Sequence, residues 1–468
     1  MKSINITKRM PHPYVLLIMI IMLATIATYI VPAGQFDRIE DVNTGRMVVQ
    51  AGTFHKVEQH PVSIFAFLLS IQKGLVSSAG IVFFIFLIGG AFGIVTATGS
   101  IQALLAKTIV KFEGTGNEKL ILIAIPLFFG FMGATWGMYE ETLVFMPFLV
   151  MLAMSLGYDA VVGISLGLLG VAAGFASAPL NPFTIGVAQG IAGLPLFSGM
   201  WYRWIFFVIS MIVTIWYILN YASKVKKDPS KSYVKDVDYS DFKLTENIKG
   251  KEMTSAHKRV IMVFFGAIIV LIIGVLKYGW YIDELATLFL TMGIIAGLVY
   301  RMKLNDIAVN FVKGCEFLAY AAIIVGFARG VMVVMEDGTI LDTIIYYLVQ
   351  PLYHLPKFFA AGLMVPIQTL INFFIPSGSG QAMVTIPIMA PVSDLLGIPR
   401  QVAVLAYQYG DGFSNMFVPT LGATMAAIGI GRIPYTKWIA YVWKLLLLQV
   451  IVGTISCMIA ALIGLGPF

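Results

Sequence analysis

The segment Gly133-Ala134-Thr135-Trp136-Gly137-Met138-Tyr139-Glu140-Glu141-Thr142 lies in the middle of an otherwise apolar stretch, residues 119–156. Glycines, threonines and two adjacent carboxylates interrupt what would otherwise read as one continuous buried run. An acid at the centre of a membrane helix costs about 2.5–3.5 kcal/mol on insertion scales, so such residues usually face a cavity and usually serve function. Each half of the stretch reads as short for a crossing of about 20 residues. The region is therefore expected to be a re-entrant hairpin, which is allowed only where protein or water covers the broken backbone. A second region, 358–396, has the same build, with Pro376-Ser377-Gly378-Ser379-Gly380-Gln381 at its tip.

The rest of the chain supplies a membrane setting. Of its 468 residues, 59% are hydrophobic and 12% charged, about half the charged share of a soluble chain. Full spans are expected near 14–31, 79–97, 159–190, 201–222, 260–276, 285–300, 317–335, 401–430 and 438–463. The first has no clear small-residue cleavage site after it and reads as an uncleaved helix rather than a signal peptide. Segments 101–112 and 304–318 read as amphipathic interfacial helices. The expected fold is an all-α polytopic membrane protein of about nine transmembrane helices plus two re-entrant hairpins.

The net charge of +7 is confined to two places. Residues 1–13 hold Lys2, Lys8 and Arg9 with no acid, and residues 223–259 hold ten basic and six acidic residues. The remainder balances at 18 against 18. A nucleic-acid groove would need the excess spread over a folded face, so no nucleic-acid partner is expected. Basic segments instead mark the cytoplasmic side. The N-terminus and the linker 223–259 are assigned inside, and the mixed-charge loop 32–61 outside. Cys315 and Cys457 stand apart, and none of the five histidines adjoins another ligand; no metal centre, cofactor or catalytic chemistry is expected.

Self-comparison at a spacing of 240 residues pairs Lys73-Gly74 with Lys313-Gly314, Gly90 with Gly330 and Pro147 with Pro387. It also pairs Gly157 with Gly397, Gly170 with Gly410 and Pro179 with Pro419, without a gap. The first copy begins after an outside loop and the second after the inside pair Arg301 and Lys303. The chain thus divides into a first repeat (1–222), a cytoplasmic basic linker (223–259) and a second repeat (260–468), of inverted topology. Secondary transporters are commonly built this way, with substrate and ion sites at the midplane, where hairpin tips meet interrupted helices.

The candidate binding residues follow from that architecture. At the first tip they are Thr135, Trp136, Tyr139, Glu140, Glu141 and Thr142; either acid has the alternative role of capping the next half-helix. At the second tip, Ser377, Gly378, Ser379, Gly380 and Gln381 open a half-helix with free N–H groups, an anion cradle, or else a tight turn. Interrupted helices follow: Ser177-Ala-Pro179-Leu-Asn181-Pro182-Phe-Thr184 and Gly410-Asp411-Gly412-Phe-Ser414-Asn415-Met-Phe-Val-Pro419-Thr420. Prolines free backbone carbonyls, so Ser177, Asn181, Thr184, Asp411, Ser414, Asn415 and Thr420 are candidates for solute or Na⁺ contacts, the Na⁺ near Asn181 and Asn415. Arg329, mid-span, reads as half of a structural ion pair or as a ligand for a substrate carboxylate.

The two tip motifs, with Gly410-Asp-Gly-Phe-Ser-Asn415 and Val418-Pro-Thr420, resemble signatures of the YfcC family. These bacterial carriers are grouped with the C4-dicarboxylate anaerobic carriers of the DcuC type. The resemblance implies the ion transporter superfamily fold, a multi-pass protein of the bacterial inner membrane, a homodimer and an elevator motion. Similar proteins include proposed basic amino acid antiporters and arginine/ornithine exchangers. Charge then bears on the cargo. A dicarboxylate would meet Glu140, Glu141 and Asp411 in a low-dielectric site, whereas a basic amino acid complements them. The expected function is amino acid transport, by exchange or coupled to Na⁺ or H⁺, with a C4-dicarboxylate or other carboxylate as the alternative cargo. An intramembrane aspartyl protease fits poorly, because Gln408 stands where its Gly-x-Gly-Asp motif needs glycine, and a passive channel needs no pair of interrupted helices.

Overall fold

The computed structural model describes residues 13–41, 46–50, 52–101, 103–104, 118–239, 253–278, 280 and 282–466. Lys2, Lys8, Arg9 and most of the expected interfacial segment 101–112 lie outside the described residues, as does part of the linker.

Seventeen α-helices make up most of the described chain. Among the described residues the all-α expectation fails only in loop 32–61. After α1 (Pro13–Ile30), β1 (Gly34–Gln35) pairs with β4 (His55–Lys56), and β2 (Arg38–Asp41) with β3 (Arg46–Val49), both antiparallel. Val48 and Val49 are buried, and strand pairing satisfies backbone groups that this packed loop would otherwise leave open.

The first helical series is α2 (Ile64–Ser77), α3 (Ala79–Ala97), α4 (Glu118–Trp136), α5 (Met146–Ser155), α6 (Ala160–Ala176), α7 (Val187–Ala192) and α8 (Met200–Lys227). The second is α9 (Ser255–Tyr278), α10 (Ile282–Val299), α11 (Leu304–Asp337), α12 (Leu341–Val349), α13 (Lys357–Phe374), α14 (Gly378–Leu395), α15 (Arg400–Ser414), α16 (Gly422–Ile430) and α17 (Tyr435–Leu462). Seven of them (α3, α4, α8, α10, α11, α13 and α17) are long and apolar enough to cross a membrane.

Several bounds recur at the 240-residue spacing. The stretch from the start of α2 to the end of α3, residues 64–97, matches α11 at 304–337; α5 and α14 end at Ser155 and Leu395; α6 and α15 start at Ala160 and Arg400.

Two local expectations are corrected. The first arms of the two hairpins are not short: α4 has 19 residues and α13 has 18. Pro126 and Pro366 lie inside them without ending the helix, since neighbouring helices can compensate a proline at membrane depth. Segment 304–318 is not a separate interfacial helix but the first half of the 34-residue α11. Its Gly314 presses on the carbonyl of Gly89 in α3, a contact that leaves no room for a Cβ and lets the two backbones pack closely. The interruptions expected within 159–190 and 401–430 are present, at 177–186 and 415–421.

α6 is buried along its whole length, as a helix apolar on every side must be, and α15 is buried from Gln401 onward. α8, about 42 Å long at 1.5 Å per residue, packs against α6 and reaches α15 through side chains near its start. Near its start Arg203 Nη2 donates to Gln401 Oε1 (2.9 Å), and near its end the Tyr221 hydroxyl donates to Asp159 Oδ2 (2.5 Å). The first hairpin's base and the second hairpin's base thus lie at opposite ends of one helix. Ribbon strand β3 packs against α14, and Arg400 Nη1 donates to the Ala192 carbonyl (2.8 Å) at the same end. At the other end the described part of the linker is docked, with Ser232 Oγ donating to Asp159 Oδ2 (2.6 Å).

Candidate functional site

At the first tip α4 ends on Trp136, and Gly137 turns the chain with φ +71°. Glycine takes this left-handed conformation at no steric cost, and a Cβ here would lie 2.5 Å from Asn181 Oδ1. The short 3₁₀ turn Glu140–Phe145 follows. Its two acids part company. Glu141 is 3% exposed and its Oε2 accepts the Tyr139 N–H (2.9 Å), so it caps the turn. Glu140 is half-buried and faces a cavity.

At the second tip Ser377 is the N-cap of α14; its Oγ accepts the Gly380 N–H (3.3 Å). The N–H groups of Gly378 and Ser379 open the helix, where no intrahelical acceptor exists. They present the positive end of an 18-residue helix to the cavity that Glu140 lines. The Tyr407 hydroxyl donates to the Gly378 carbonyl (2.5 Å) and holds the tip in place.

The two helix breaks are largely closed by side-chain donors. In the first, Gln408 Nε2 donates to the carbonyl of Ala178 (2.8 Å) and approaches that of Phe175 (3.4 Å). Asn181 Oδ1 accepts the N–H groups of Phe183 (2.9 Å) and Thr184 (3.2 Å). In the second, Trp438 Nε1 donates to the Met416 carbonyl (2.8 Å), the Tyr435 hydroxyl to that of Phe417 (2.9 Å), and Thr424 Oγ1 to that of Asn415. Asn415 Oδ1 lies 2.7 Å from Asn372 Nδ2. In this arrangement the Asn181 and Asn415 side-chain oxygens, the ones expected near an Na⁺, both accept hydrogen bonds.

One cavity of about 670 Å³ collects the tips and breaks. Tyr139 and Glu140 come from the first tip; Ser377, Gly378 and Ser379 from the second; Thr184 from the first break; and Asn415 and Thr420 from the second. Phe175 packs edge-on against Tyr139, ring centroids 5.5 Å apart, and lines the same space. Arg329 also lines it. Its expected ion pair is absent among the described residues, and Nη1 meets the Met332 sulfur at 2.9 Å. Asp283 and Glu284, at the start of α10, complete the charged lining. Three acids and one base therefore face the space.

The other predicted residues lie off the cavity wall. Thr135 Oγ1 donates to the Phe131 carbonyl (2.7 Å), and Trp136 packs edge-on against Phe131 (5.8 Å). Thr142 and Ser177 bond back to the carbonyls of Tyr139 and Ala173, each at 2.6 Å. Ser414 Oγ donates to the Gly410 carbonyl (2.5 Å), Gly380 serves the N-cap, and Gln381 Nε2 donates to Gln368 Oε1 (2.7 Å). Asp411 is fully buried behind Gly378, and among the described residues no donor lies within 3.5 Å hydrogen-bond geometry of either Oδ atom.

Sequence reading missed Asp283, Glu284 and Arg203. The acids at the head of α10 read as ordinary first-turn acids, which favour helix N-termini anyway. Arg203 is fully buried. It donates through Nε to Gln408 Oε1 (3.2 Å), Nη1 to the Ser198 carbonyl (2.7 Å) and Nη2 to Gln401 Oε1. It steadies the glutamine that fastens the first break, so Gln408, out of place in a protease motif, has its own role here.

Comparison with known proteins places these features in a family. The family model described as "C4-dicarboxylate anaerobic carrier" (DcuC) matches residues 10–462. The chain is 34% identical, over 97% of both chains, to an Escherichia coli (strain K12) protein named "Putative basic amino acid antiporter YfcC". It is 32% identical to an uncharacterized protein of Haemophilus influenzae, over 86% of this chain and 80% of that one. Among solved structures, the YdaH transporter of Alcanivorax borkumensis aligns over 97% of this chain and 99% of that one, with 16% identity and a TM-score of 0.42.

Proposed function

Because the chain belongs to the DcuC family of C4-dicarboxylate anaerobic carriers, a family of multi-pass membrane transporters, we propose that it is a secondary active carrier for a small amino acid, basic in character, such as arginine or ornithine. The observation that carries this reading is a cavity onto which both hairpin tips and both helix breaks open. An amino acid carboxylate would sit on the Gly378 and Ser379 N–H groups. The ammonium or guanidinium would face Glu140, in a space whose other acids, Asp283 and Glu284, outnumber the one base. Opposite charges at such short range in a partly desolvated site favour a cationic cargo.

Transport would proceed by exchange or be coupled to Na⁺ or H⁺. The two repeats would be inverted, with the N-terminus and linker on the cytoplasmic side of a bacterial inner membrane. The recurrence of element bounds supports this, as does α8, which ties equivalent ends of the two repeats to its opposite termini. The hairpins and broken helices would move as one body, elevator fashion, in a homodimer. A second reading, a dicarboxylate cargo, is favoured by Arg329, a cavity-lining guanidinium with no ion pair among the described residues, and by the family's description.

Counterflow in proteoliposomes separates the two. Vesicles loaded with arginine should take up labelled arginine faster than empty ones, with ornithine competing and succinate not. Succinate uptake with no arginine uptake would overturn the amino acid assignment.

A further inference from the structure

Nine buried side-chain nitrogen and oxygen atoms among the described residues lack a hydrogen-bond partner, and seven of them lie on six residues: Asn181, Thr184, Gln368, Asn372, Gln381 and Asp411. Such atoms are rare in native structures and usually mark a bound water, an ion or a functional role. These six also sit together. Gln368 and Asn372 are four residues apart on α13, hence on one face. Gln381 Nε2 donates to Gln368 Oε1, and Asn372 Nδ2 lies 3.0 Å from the Asp411 carbonyl. A Cβ on Gly378 would lie 2.8 Å from Thr184 Cγ2 and 3.4 Å from Asp411 Oδ2, so this glycine adjoins both the break and the acid.

The imbalance has a sign. Five of the seven atoms are oxygens (both Oδ atoms of Asp411, Gln381 Oε1, Asn372 Oδ1 and Thr184 Oγ1), against the two amide nitrogens Gln368 Nε2 and Asn181 Nδ2. A surplus of hard oxygen acceptors around a fully buried carboxylate matches a small cation, since a bare buried carboxylate is not tolerated. Asp411 is not on the cavity wall; the second tip separates it from the proposed cargo space.

We infer that the space enclosed by α13, α14, α15 and the Thr184 turn is an Na⁺ site, with Asp411, Asn372, Gln381 and Thr184 as its oxygen donors. An ion there would fix the start of α14 from behind, while a cargo engages the same tip from the front. That coupling rests on the carrier reading above; the site itself does not.

The test uses the purified full-length protein in detergent, with thermal unfolding followed in NaCl, KCl and choline chloride at matched ionic strength, with and without arginine. Binding to the native state raises the midpoint by mass action. Saturating Na⁺ should raise it by about 2–4 °C, K⁺ and choline much less. Asp411→Asn should abolish the Na⁺ increment and Thr184→Ala should weaken the half-saturating Na⁺ concentration about tenfold; Glu140→Gln should keep the increment. If Asp411→Asn does not fold, Thr184→Ala and Asn372→Ala carry the test. An increment that survives in all three, one equal for Na⁺ and choline, or one governed by pH alone would overturn the inference. Stabilisation by arginine without any Na⁺ increment would overturn the ion site and leave the carrier reading standing; an Na⁺ increment with no amino acid effect would do the reverse.

Discussion

Glu140 and Glu141 are neighbours in sequence but are assigned opposite work, and a pair of substitutions separates them. Glu140→Gln keeps the shape of a side chain that lines the cavity and removes its charge. A hydrogen bond to a charged group contributes about 1.5–3 kcal/mol; a unit-charge pair at 4 Å in an effective dielectric of 20 sets an upper bound of about 4 kcal/mol. The KM for arginine should therefore rise roughly tenfold to a hundredfold, with the unfolding midpoint unchanged. Glu141→Ala instead leaves the buried Tyr139 N–H without its acceptor. That costs about 1–3 kcal/mol of stability, lowering the midpoint by a few degrees, while Glu141→Gln retains the acceptor and most of the stability. Arginine exchange at matched reconstitution, together with thermal unfolding of each variant, gives both readouts. A wild-type KM for Glu140→Gln, or a large KM change for Glu141→Ala with no loss of stability, would refute the division of roles.

Gly137→Ala should cost about 1–2 kcal/mol from the left-handed backbone alone. Its Cβ also displaces the Asn181 cap, so unfolding should show a loss above that figure, together with impaired transport. Arg203→Met leaves Gln401, Gln408 and Ser198 short of donors; a loss above about 2 kcal/mol should appear as a lower midpoint, partly restored by Lys. Asp342→Ala removes the acceptor of both Arg38 and the Phe36 N–H (3.0 and 3.1 Å), and the ribbon at 34–57 should then be cleaved by protease sooner than in the wild type.

Much of this architecture was legible because membrane segments announce themselves through composition and because the 240-residue register is ungapped. The tip motifs and both breaks fall where glycine, proline and polar residues interrupt apolar runs. The misses have a common cause. The sequence offers no local sign of which side chain fills the gap a proline leaves, so α4 and α13 read as too short although Pro126 and Pro366 are absorbed. Nor does local pattern show that Gly314 meets Gly89 across two helices and lets α11 run on. Of the charged candidates, Glu140 lines the cavity, Glu141 caps a turn, and Arg329 lacks the partner expected for it. Those distinctions depend on contacts between segments hundreds of residues apart. Arg203 sits near the start of a hydrophobic run, where an arginine usually snorkels to the interface; its burial follows from the glutamines of α15 and the Ser198 carbonyl.

The docked part of the linker has a practical consequence. Ser232 is bonded to Asp159 beside the first hairpin, and the Tyr239 hydroxyl reaches the Arg432 carbonyl (3.5 Å) just beyond α16. A strand of polar chain is thus sewn at two points onto the body that the proposed mechanism sets in motion, and Lys235 between those points is exposed. A dye carried at that position would be a passenger on the moving part. Its distance to a second dye on α1, which packs on α11 outside that body, would then read each excursion from one side of the membrane to the other, without any label near the cargo.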